Sequence, residues 1–140
     1  DYLWYGFFDG RNSDDLQNCV FELLEELGGM QESESPVLTH TGKPMPAILV
    51  AWQSGKKPGS EILEEALALA DEWRDTGKFC SDCEYRLTQN ALRIMLDDAT
   101  LARSMKPIKK AVKLMHELAD AGIEQYILSN WDAHSFAQLT

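Results

Sequence analysis

Glycines at Gly28-Gly29, Gly55, Gly77 and Gly122 each close a stretch in which apolar residues return every three or four positions. This punctuation limits most of the chain to short helices, because a half-buried strand needs strict alternation instead. The first helix is expected from Ser13, a residue suited to capping, with Asp14 and Asp15 beside the positive end of the helix dipole. Its apolar face would be Leu16, Val20, Leu23 and Leu27. Pro46 suits the first position of a short buried helix, Ile48-Leu49-Val50-Ala51-Trp52, which Gly55 ends. Lys56-Lys57-Pro58-Gly59 reads as a turn, and Ser60 as the cap of a third helix. There Leu63, Leu67, Ala70 and Trp73 or Arg74 would share one face up to Gly77. A run from about Glu84 to Met105 sets Leu87, Ala91, Met95 and Leu96 at helical spacing and is expected to break near Asp97-Asp98. Pro107 then opens Ile108 to Ala121, with Ile108, Ala111, Val112, Met115, Leu118 and Ala119 as its apolar face.

Three stretches escape this period. Tyr2-Leu3-Trp4-Tyr5-Gly6-Phe7-Phe8 is aromatic without a clean repeat and is read as a buried lead-in over residues 1–11. From Met30 to Pro46 there is no sustained period, which predicts a loop longer than compact domains usually need. Ile123 to Leu128 is a β-compatible run ending in Ser129-Asn130, and a helix, glycine, strand and polar turn make half of an α/β unit. A lone strand cannot satisfy its own backbone groups, so this one is expected to need sheet neighbours from outside the chain. The fold class is therefore mainly α, with a small part of an α/β core at the end.

A length of 140 residues suits one domain or a piece of a larger one. Thirteen Lys and Arg against 23 Asp and Glu leave a net charge of −10, which argues against nucleic acid as a partner, since a polyphosphate would be repelled. The 44% hydrophobic share is too high for intrinsic disorder, and no run of about 18 apolar residues suggests a membrane partner. Cysteines Cys19, Cys80 and Cys83 are an odd number without a secretory leader before them, so a reducing, cytoplasmic location is expected.

Several side-chain groups invite a chemical reading. Cys80-Ser81-Asp82-Cys83 has the spacing of a zinc half-site or redox pair, but zinc needs two more ligands and His40, His116 and His134 are scattered singly. Incidental thiols are the simpler reading. Thr41-Gly42-Lys43-Pro44 lacks the glycine and the hydroxyl of a phosphate loop. Glu22, Glu25 and Glu26, like Glu61, Glu64 and Glu65, read as solvated helix faces. Trp4, Trp52 and Trp73 read as packing residues.

Ile127-Leu128-Ser129-Asn130-Trp131-Asp132, preceded by Gly122 and the Pro107 to Ala121 helix, resembles motif II of the haloacid dehalogenase (HAD)-like hydrolase superfamily. The resemblance implies a Rossmann-like sheet whose strand delivers the Ser129 hydroxyl to the bound phosphoryl group, with Asn130 facing the same site and Trp131 as a possible pocket residue. The stretch from Pro46 to Ile62 is similar to the helical cap that this superfamily inserts before motif II. On this resemblance residues 1–11 are a lead-in, 12–106 a helical cap domain, and 107–140 a partial α/β core. The family's nucleophile is the first Asp of an Asp-x-Asp pair, and Asp9-Gly10-Arg11-Asn12 lacks the second Asp. The lysine of motif III and the acidic residues of motif IV would follow motif II beyond Thr140, so no catalytic residue is assigned in this chain. Asp97-Asp98 precede motif II and do not replace motif IV.

The resemblance implies a parent hydrolase, a phosphatase or a 2-haloacid dehalogenase-like enzyme, acting on a small-molecule substrate. Magnesium is expected for a parent phosphatase, with none held by this chain alone. The alternative is a non-catalytic acidic helical interaction module in which Ile123 to Leu128 is core.

Overall fold

The computed structural model describes residues 13–39, 42–104 and 106–126. Among these described residues six helices follow in order: α1 Ser13–Gly28, α2 Ala47–Gln53, α3 Gly59–Asp75, α4 Asp82–Leu96, α5 Asp98–Ser104 and α6 Lys109–Asp120. The described part is mainly helical, and its β pairing is limited to two isolated bridges, Met30 with Pro46 and Leu38 with Pro44.

Helix α1 is the centre of the bundle and touches α2, α3 and α4, while α3 packs along α4 and α4 against α5. Its position follows from four apolar side chains, Leu16, Val20, Leu23 and Leu24, which the helical period stacks on one face and which are all buried. Each contributes about 1.5–3 kcal/mol of transfer free energy before the loss of chain entropy is set against it. Leu27, expected on this face, is only partly buried, and Leu24 shares its place in the core.

The third helix corrects the expected register. It starts at Gly59 with Pro58 at its N-cap, Ser60 lies inside it, and no side chain caps it. The buried face is Ile62, Ala66, Ala70 and Trp73, one position back from the predicted Leu63 and Leu67, which are half-buried at its edge. Small residues at 59, 66 and 70 explain the choice, since they let α4 approach closely. A Cβ placed on Gly59 would lie 2.6 Å from the Leu96 carbonyl oxygen and 3.0 Å from Trp52 Nε1, so the start of α3, the end of α4 and α2 meet at a point that only glycine fits.

Helix α4 begins earlier than its apolar spacing indicates. Ser81 Oγ accepts a hydrogen bond from the Glu84 amide at 3.2 Å, and the Glu84 carboxylate reaches back to the Cys80 amide at 2.7 Å, a close variant of the capping box. Leu87, expected in the core, is 44% exposed, and Thr88 is fully buried in its place, 3.6 Å from Cys19 Sγ. The break near Asp97-Asp98 is present. Asp97 ends α4 with its backbone N–H donating to the Arg93 carbonyl at 3.0 Å, and its carboxylate caps α5 by accepting from the Thr100 amide at 2.8 Å.

Three helices end alike. At Gly55, Gly77 and Gly122 the backbone adopts positive φ, and paired bonds such as Lys78 to Trp73 and Gly77 to Arg74 close a Schellman motif. The long connection between α1 and α2 is a fastened loop. Gln31 Nε2 donates to the carbonyls of Val37 and Met45 at 2.9 and 2.8 Å, and its Oε1 accepts from the Val37 amide at 2.9 Å. One glutamine thus satisfies backbone groups that a strand pair would otherwise have to satisfy.

Candidate functional site

Ser129, Asn130 and Trp131, the residues expected at a substrate site, lie outside the described residues, as do the lead-in with Asp9 and the end of the expected strand. The structure does describe the approach to them. Helix α6 is closed by Ile123 donating to the Leu118 carbonyl at 3.0 Å and Gly122 to that of Ala119 at 2.9 Å. Beyond it Ile123 to Tyr126 is irregular, with no ladder partner among the described residues, so this part of the predicted strand is not formed. Gln125 Nε2 turns back to the Met115 carbonyl at 2.8 Å, and Tyr126, 85% exposed, donates to the Glu124 carboxylate at 2.7 Å.

The apolar face of α6 is where the sequence expectation and the structure part most clearly. No side chain of this helix is buried, and Ile108, Val112, Leu114 and Met115 are exposed. Lys113 pairs with Glu117 at 3.6 Å along the polar side. Near its start α6 carries Lys109, Lys110 and Lys113, with Glu117 and Asp120 near its end, which opposes the helix dipole. Such a 12-residue helix is marginal on its own and draws its stability from whatever its apolar face packs against.

In the bundle, a cleft of about 470 Å³ opens between the start of α3 and the α4–α5 junction, lined by Ser60, Leu63, Glu64, Leu67, Asp97, Asp98 and Ala99. Its lining combines the apolar side chains of Leu63 and Leu67 with the carboxylates of Glu64, Asp97 and Asp98. Hydrogen bonds from the Thr100 hydroxyl and amide hold the Asp97 carboxyl below the usual carboxylate range, so it stays charged as a helix cap. Glu64 and Asp97-Asp98 were expected as a solvated face and a helix break, and only folding brings them to one cleft.

A polar network on the far end of α3 was not foreseen. The Glu26 carboxylate accepts from Lys78 Nζ at 2.9 and 3.0 Å and from Trp73 Nε1 at 3.1 Å. The Lys78 hydrogen bond, helped by the Lys78 charge and the Trp73 hydrogen bond, holds it below the usual carboxylate range against the opposing effect of desolvation. Beside it, Trp73, Phe79 and Tyr85 stack edge to tilted face, with Lys78 over the first ring and Arg74 over the last. The Tyr85 hydroxyl donates to Asp71 at 2.5 Å and accepts from Arg74 and Gln89, and the bond to Asp71 pushes its ionisation up. Every member has its partners, and the arrangement fastens the α3–α4 turn.

That turn presents Cys80 and Cys83 to solvent, and all three cysteines are free. The Glu84 carboxylate pushes the Cys80 thiol up, and burial does the same for Cys19. Neither is set up as a thiolate nucleophile. Among the described residues no group of three or more His, Cys, Asp or Glu side chains converges to hold a metal ion, so no metal ligand is assigned there. No described helix is long and apolar enough to cross a membrane. No protein-family profile matches the sequence, and no curated protein or solved structure matches it either.

Proposed function

We propose that this chain is the helical cap and an adjoining piece of the α/β core of a HAD-like hydrolase, with phosphomonoesters favoured as substrates over 2-haloacids because phosphatases are the larger class in that superfamily. One observation carries the reading: α6, which precedes Ser129-Asn130 in the sequence, has an apolar face that the α1–α5 bundle does not bury. A helix of this kind suits a layer packed on a sheet rather than a cap. The bundle itself is the cap.

In this mechanism an Asp carboxylate supplied by the rest of the hydrolase attacks phosphorus and expels the alcohol, leaving an acyl phosphate, or attacks the halogenated carbon and expels halide, leaving an ester; water then hydrolyses either intermediate and frees the carboxylate. For a phosphoryl substrate, Ser129 donates a hydrogen bond to a non-bridging oxygen as charge develops on it, and Asn130 orients the same group. The cap helices close over the site and exclude water until hydrolysis. Magnesium, where the parent is a phosphatase, supplies charge neutralisation when bound, and its ligands belong to the parent's core. The three free thiols support a reducing, cytoplasmic setting.

The exposed α6 face also favours a second reading, a non-catalytic interaction module that docks through Val112, Leu114 and Met115. The two readings separate in an assay of the longer protein on a generic phosphomonoester and on a 2-haloacid. The hydrolase reading expects turnover of one of them, with Ser129→Ala lowering phosphomonoester turnover by a factor on the order of 100. An unchanged rate removes Ser129 from the site. No turnover on either substrate favours the interaction module. The 140-residue chain alone is expected to show no hydrolysis, and magnesium-dependent turnover by it would overturn the cap-and-piece reading.

A further inference from the structure

We draw no further inference here: the strongest candidate, the exposed apolar face of α6 formed by Ile108, Val112, Leu114 and Met115, carries nothing, because nothing in the structure shows what covers it.

Discussion

In α1, Leu16, Val20, Leu23 and Leu24 are closed off by the neighbouring helices, whereas in α6 the equally regular Val112 and Met115 remain 37% and 51% exposed. The two helices have the same kind of apolar spacing and opposite surroundings. Helical period says which side chains share a face, and it says nothing about what covers that face. For α1 the cover is local, supplied by α2, α3 and α4 within the same bundle. For α6 no cover comes from the bundle, and its charge order opposes its own dipole, so its stability depends on packing still to be supplied.

The sharpest way to break this contrast is to remove matched apolar side chains from each region. Leu23→Ala and Leu92→Ala, at fully buried positions, are expected to destabilise the chain by about 2–5 kcal/mol in urea unfolding. Met115→Ala in α6 should change it by under about 0.5 kcal/mol. A loss at Met115 equal to that at Leu23 would place α6 in the same core. Gly59→Ala comes next, at about 1–3 kcal/mol, because its new methyl group meets the Leu96 carbonyl and Trp52. A neutral result would mean that α3 and α4 are not held at that distance.

Asp97→Ala removes the cap of α5 and should cost about 1 kcal/mol, whereas Asp120→Ala, at the unfavourable end of α6, should cost nothing measurable. Acid gives a smaller effect still. Glu26 and Asp97 both titrate lower in the folded chain than in the unfolded one. Their contribution is therefore fully present above the unfolded carboxylate range and is lost as pH falls through the folded values. Lys78→Met should remove the Glu26 part of that acid sensitivity, and an identical pH profile in the variant would show the ion pair to be without weight. Thiol labelling sorts the cysteines without touching stability: exposed Cys83 should react first, exposed Cys80 more slowly because Glu84 raises its thiol, and half-buried Cys19 slowest.

The existence and order of the helices were legible in the sequence because their ends are written in local chemistry, in Pro46, Gly55, Gly77, Asp97 and Gly122. Their buried faces were less legible. In α3 both the Ile62–Ala66–Ala70 stripe and the Leu63–Leu67 stripe obey the helical period, and the choice between them depends on how closely α4 approaches at Gly59. In α4 the polar Thr88 is buried because it partners Cys19, a contact 69 residues apart that no local pattern announces. The start of α4 was readable from Ser81 and Glu84 as a capping box, which apolar spacing alone passes over. At the candidate site, Ser129 and Asn130 are legible only through resemblance, since a Ser-Asn pair after an apolar run also suits an ordinary turn. The cleft between Glu64 and Asp97 was not legible, because it joins residues from separate helices.

Native-state hydrogen exchange on the 140-residue chain tests the division between bundle and α6 most directly. The account predicts that amides around Leu23 and Leu92 exchange only through global unfolding, while those from Val112 to Leu118 exchange far faster through local opening of α6. Equal protection of the two regions, falling together with denaturant, would contradict it.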